Sequence, residues 1–149
     1  DPPVTTPGEI TKDGPIKVAQ AEDYQNISRD ITELTVDVRT EVQALVDLWA
    51  AAWSEKNVVQ YLACYSVDVS MPGKQSRPQW EALRRSRLTR PRTIEVKVVY
   101  EKLEVTEPNV IQVIFDQTYR SNLYRDRTRK QLVVRKERED WRIMSERSL

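Results

Sequence analysis

The feature that most constrains this chain is a change in its apolar period near Pro91. Before it, Val42, Leu45, Val46, Trp49, Ala52 and Trp53 recur at i, i+3, i+4 and i+7, with Arg39, Glu41, Gln43, Asp47 and Glu55 between them, which predicts an amphipathic helix. After it, Ile94, Val96, Val98 and Tyr100 alternate with Glu95, Lys97 and Glu101, the period of a half-buried strand. Helices first and strands last, without βαβ alternation, imply an α+β domain: an antiparallel sheet covered on one face by helices.

Local signals fill in this order. Asn57 with Gln60 marks the N-cap of a second helix over residues 58–65, with Tyr61, Leu62 and Tyr65 as its apolar stripe. Ser76-Arg77-Pro78-Gln79 has the form of a capping box with proline in the first turn, so a third helix begins there and ends before Pro91. Glu107-Pro108-Asn109 is a turn, and residues 110–122, 127–138 and 141–147 read as three further strands of a meander.

Residues 1–15 hold four of the eight prolines and two of the three glycines, and residues 1–16 show no apolar periodicity. Residues 1–36 therefore read as a linker, with a short helix from Ile27 through Ile31, Leu34 and Val38, and residues 37–149 as the domain. The linker carries three Lys/Arg against seven Asp/Glu, and the domain 21 against 16. The chain starts at Asp1 without a methionine, as a mature exported protein or a fragment would, and shows no signal peptide and no apolar run long enough to span a membrane.

Histidine is absent and Cys64 is the sole cysteine. Disulfides, His/Cys zinc sites and histidine-based general-base chemistry are thereby excluded, and Cys64 reads as a small buried hydrophobe.

Beyond the element order, particular residues carry a resemblance. They are residues 48–54 (Leu-Trp-Ala-Ala-Ala-Trp-Ser) with Tyr61-Leu62 and Tyr65; Trp80-Glu81, Arg84-Arg85, Arg87-Leu88 and Pro91; and Gln117, Tyr119, Ser121, Tyr124, Asp126, Lys130 and Trp141-Arg142-Ile143. Over residues 38–148 the chain resembles the nuclear-transport-factor-2-like (SnoaL-like) superfamily, whose fold is a cone of helices on the concave face of a bent sheet. Within it the chain looks most like the domain attached to the C-terminal side of some bacterial L,D-transpeptidase-type cell-wall proteins. That likeness implies an exported, periplasmic protein of the cell envelope. Nothing in this chain matches the transpeptidase's cysteine motif, so no such activity is implied.

The resemblance places function in the cavity between helices and sheet, and strand parity predicts its lining. Gln117, Tyr119 and Ser121 share a face with Ile111, Val113 and Phe115, and Lys130 shares one with Leu132 and Val134. Trp49 and Trp53 face the same space from the first helix, with Tyr65 from the second and Trp80 and Arg84 at the rim from the third. The candidate ligand pocket is thus Trp49, Trp53, Tyr65, Trp80, Arg84, Phe115, Gln117, Tyr119, Ser121 and Lys130, suited to a small anionic or peptide-like ligand. The competing reading makes the tryptophans plain core and lets Gln117, Tyr119 and Lys130 satisfy themselves locally.

Superfamily enzymes such as ketosteroid isomerases and dehydratases place a carboxylate or a His–Asp pair in this cavity. Asp47 and Asp116 fall on outward parities and Glu146 is out of phase with Trp141 and Ile143, so no inward carboxylate is expected and no catalytic residue, metal or cofactor is assigned. An isomerase or dehydratase remains the alternative: a buried carboxylate beside Tyr119 would favour it, and a cavity filled by Trp49, Trp53 and Phe115 would count against it. The arginines at 84, 85, 87, 90 and 92 raise nucleic-acid or polyanion binding, but interspersed acids and the modest charge excess favour a solvated helical face. Val99, Ile114 and Val133 on the opposite sheet face offer apolar surface for a homodimer or another protein.

Overall fold

The computed structural model describes residues 30–149, and Thr32–Leu149 pack as one unit. Helix α1 (Val36–Ser54) is capped by Thr35, whose side chain accepts from Val38 N at 3.1 Å. Its buried stripe, Val38, Val42, Leu45, Val46, Trp49 and Trp53, is the one its spacing predicts. The helix expected from Ile27 begins outside the described residues. Residues 30–34 carry no helix, because Thr35 adopts the extended cap conformation and starts the helix afresh.

Helix α2 (Val58–Ala63) is capped by Asn57 and stops two residues short of the predicted end, since Tyr65 leaves the helix to bridge Ile143 in parallel. Helix α3 (Arg77–Thr89) starts with both bonds of the capping box in place between Ser76 and Gln79. Strands β1 (Ile94–Glu107), β2 (Val110–Ser121), β3 (Arg125–Glu137) and β4 (Asp140–Ser148) form a four-stranded antiparallel meander in the order β1-β2-β3-β4. Asn109 takes the positive φ, 67°, that the β1–β2 turn requires.

Three register shifts interrupt the ladders, one of them between Val105 and Glu107 near the end of β1, and the other two change which side chains face the helices. In β1 the register shifts between Tyr100 and Lys102, so the buried set passes from Ile94 and Val96 to Leu103. In the β3–β4 pair Val133 opposes Ser145 whereas Val134 opposes Ile143, leaving Met144 as the extra residue. A bulge inverts the inward parity of everything beyond it. Trp141 and Ile143 face the core before the bulge, and Glu146 faces it afterwards.

Candidate functional site

The centre of the cone is filled by aromatic rings. Trp49 and Phe115 are wholly buried and Tyr61 nearly so, and Trp49 contacts Trp53, Tyr61 and Phe115 at centroid distances of 5.4, 6.4 and 5.9 Å. α1 brings in Trp49 and Trp53 one turn apart on its apolar stripe, while β2 presents Phe115 from the opposing layer. The ring edges and faces meet in tilted or edge-on pairs, the arrangement aromatic quadrupoles favour.

Against this aromatic wall sits a polar cluster around Glu146. Its carboxylate accepts from Tyr65 Oη at 2.6 Å, Lys130 Nζ at 2.7 Å and Arg84 Nη1 at 3.0 Å. Arg84 also donates to Tyr61 Oη at 2.9 Å, and Trp49 Nε1 donates to Tyr65 Oη at 2.9 Å. The cations lie over rings as well, Lys130 5.5 Å from both the Trp49 and Trp53 centroids and Arg84 5.2 Å from Trp80.

These neighbours set the protonation states. Burial by itself would raise the Glu146 pKa, but the Lys130 and Arg84 charges and the hydrogen bonds from Lys130 and Tyr65 outweigh it and lower it to about 2. Burial, reinforced by the negative charge of Glu146, pushes Tyr65 well above the usual phenol range, and Tyr61 is raised for the same reasons. Both tyrosines are therefore neutral donors, and Glu146 is a carboxylate that accepts from three donors.

Glu146 corrects the expectation of no inward carboxylate, and the cause is the Met144 bulge. A two-residue alternation counted from Trp141 cannot foresee it. The sequence does hold a signal: Lys130, read as inward, and Arg84, read at the rim, need a counter-charge when buried, and that demand points to an acid nearby.

Of the predicted lining, Trp49, Trp53, Tyr65, Trp80, Arg84, Phe115 and Lys130 converge in the aromatic and ionic cluster. Gln117 and Tyr119 are buried, 4% and 6% exposed, on the same face of β2 but further toward its end. Ser121 is a correction: it is half-buried and its hydroxyl holds the β2–β3 turn, accepting from Leu123 N at 3.0 Å and Tyr124 N at 3.3 Å. The strand ends there, and face parity no longer governs where the side chain goes.

Open space lies at the edges of this cluster. One groove of about 380 Å³ runs between the end of α3 and the β2–β3 turn, lined by Trp53, Leu83, Arg87, Arg90, Tyr119 and Tyr124. Leu83, Leu123 and Tyr124 are exposed there at 42%, 57% and 60%. The indole N–H of Trp53 and the side-chain oxygen of Gln117 are buried without a hydrogen-bond partner among the described residues. A second cleft, about 330 Å³, opens beside Trp80, Arg84, Glu146 and Arg147.

On the outer sheet face the cross-strand pairs Arg120–Glu95, Arg127–Asp116 and Arg129–Glu101 lie at 2.6 to 3.0 Å. Val99 stands 68% exposed, while Ile114 and Val133 are half-buried.

Comparisons with known proteins agree with this architecture. The family described as the Cds6 C-terminal NTF2-like domain matches residues 41–147. Among solved structures, Bd1075 of Bdellovibrio bacteriovorus superposes with a TM-score of 0.67 at 20% identity over 75% of this chain. The helical cell shape determining protein Pgp2 of Campylobacter jejuni (K307A mutant) gives 0.59 at 18% identity over 71%. This chain spans only 40% and 39% of those two. An NTF2-like protein of unknown function from Shewanella oneidensis gives 0.61 at 14% identity, covering 74% of this chain and 97% of that one. Curated protein sequences contain no significant match.

Proposed function

Because this chain belongs to the Cds6 C-terminal NTF2-like domain family, whose fold hosts varied roles, we propose that it is a noncatalytic binding module of an exported bacterial cell-envelope protein. The ligand site is the groove between α3 and the β2–β3 turn. The observation that carries this reading is the contrast between a closed interior and an open, unsatisfied edge. Trp49, Phe115 and Tyr61 fill the centre, and three donors engage Glu146, whereas exposed apolar side chains, two arginines and the unpartnered Trp53 N–H gather at the groove.

An isomerase or dehydratase would need Glu146 to take a proton. A carboxylate lowered to about 2 binds protons weakly, and one held by Lys130, Arg84 and Tyr65 is already engaged as an acceptor on both oxygens. The aromatic filling of the interior argues in the same direction. The outer sheet face carries exposed cross-strand ion pairs beside Val99, so a homodimer through Val99, Ile114 and Val133 has less behind it. The likeness to Pgp2, a helical cell shape determining protein, supports the envelope setting.

The test is a titration of the isotope-labelled domain with soluble cell-wall glycopeptide fragments, followed by amide and indole resonances. Shifts at Trp53, Tyr119, Leu123 and Tyr124 are expected. Shifts confined to the outer face of β1–β3, or none at saturating fragment, would overturn the groove as the site.

A further inference from the structure

We infer that the groove at α3 recognises the carboxylate end of a peptide whose last side chain is apolar, an inference that rests on the groove being the binding site. Recognition divides into three parts, each carried by different atoms of the groove.

The anionic part is read by Arg87 and Arg90. Both are exposed at the last turn and C-cap of α3, and neither has an ion-pair partner among the described residues. Arg120, Arg127, Arg129 and Arg135 on the sheet each face a carboxylate within 3.0 Å, whereas Arg87 and Arg90 share their state with arginines such as Arg85 and Arg92 and differ from them in lining the groove. No Asp or Glu lines the groove. Two guanidinium groups beside one apolar floor and no competing acid make a local site for a carboxylate, which accepts their forked N–H groups as paired, charge-assisted hydrogen bonds.

The apolar part is read by Leu83, Leu123 and Tyr124. All three are exposed large hydrophobic side chains that meet at this groove. Tyr124 is held by ring contact with Tyr119 at 5.1 Å, and Tyr119 in turn by Trp53 at 5.5 Å, so the aromatic floor is continuous with the core. The groove's volume of about 380 Å³ matches a side chain with its flanking backbone rather than a whole protein surface.

The amide part distinguishes a peptide end from a simple fatty carboxylate. Trp53 forms the inner wall, and its indole N–H has no hydrogen-bond partner among the described residues. A buried donor without a partner calls for a group that offers a C=O beside the carboxylate. A peptide bond does so and an alkyl chain does not.

The experiment uses three probes on the whole chain, read by the same resonances: N-acetyl-alanyl-phenylalanine as the free acid, its C-terminal amide, and decanoate. The free acid is expected to bind about 10-fold more tightly than the amide, from the loss of charge-assisted hydrogen bonds. The double variant R87Q/R90Q, at exposed positions outside the core, removes that preference, so that acid and amide bind alike. Trp53→Phe keeps an aromatic ring, removes the N–H and weakens both peptides more than decanoate. Equal binding of acid and amide at the groove overturns the carboxylate inference while leaving the groove as a binding site. Decanoate as tight as the acid overturns the peptide part. Absence of binding by all three probes overturns the inference, and the glycopeptide titration then decides independently whether the groove is a site at all.

Discussion

Lys130 Nζ and the Glu146 carboxylate, on neighbouring strands β3 and β4, lie 2.7 Å apart with both side chains only 9% exposed. The pair is joined from the helical layer by Arg84 and Tyr65. Sheet and helices are thus tied through one buried carboxylate, whose burial cost is offset by two charges and a phenol.

Replacing Glu146 by Gln is therefore expected to destabilise the fold by about 3 kcal/mol, because two buried cations lose their counter-charge. Urea denaturation followed by tryptophan fluorescence measures it. A loss below about 1 kcal/mol would mean that Lys130 and Arg84 find water or other partners at little cost.

Acid should remove the same stabilisation. Glu146 has a folded pKa lowered from 4.5 to about 2, so its contribution is fully present above about pH 5.5 and falls as pH drops from there toward 2. Stability measured across pH 2–6 should decline more steeply in the wild type than in Glu146→Gln. Parallel curves would show that the cluster does not hold the carboxylate in its charged form.

Ser76 Oγ accepts from Gln79 N at 3.2 Å while Gln79 Oε1 accepts from Ser76 N at 2.9 Å. Ser76→Ala is expected to cost about 1 kcal/mol and to leave the groove at the other end of α3 unaffected. Thermal denaturation, with probe affinity as the control, separates the two effects.

Burial pushes the Cys64 thiol up to about 11, with Arg142 opposing the shift weakly. At pH 8 a disulfide reagent should then label the folded chain on the order of 100-fold more slowly than the urea-unfolded chain, since only the thiolate reacts. Similar rates would mean that Cys64 is accessible and ionises normally.

The buried interior was legible before any tertiary information, whereas of the groove only Trp53 and Tyr119 were in the predicted lining, and Leu83, Arg87, Arg90, Leu123 and Tyr124 were not. Trp49, Trp53, Phe115, Gln117, Tyr119 and Lys130 lie inward as the helical and strand periods place them, because those periods are properties of the backbone. Ser121 and Glu146 escaped for different reasons. Ser121 lies at a strand end, where hydrogen bonds within the turn decide its direction, and Glu146 lies beyond a bulge that reverses the count.

The sequence by itself determined the order of three helices and four strands, their caps and turns, and the α+β layering, since each depends on residues within a few positions of one another. Only the tertiary structure decided that the cone is filled, that Glu146 is its inward acid, and that the unsatisfied polar and apolar groups gather at the end of α3. Those outcomes depend on which residue bulges out of the β3–β4 ladder and on how rings from separate layers meet. Such pairings span as many as 100 positions of chain, as from Glu41 to Trp141, and no local pattern encodes them.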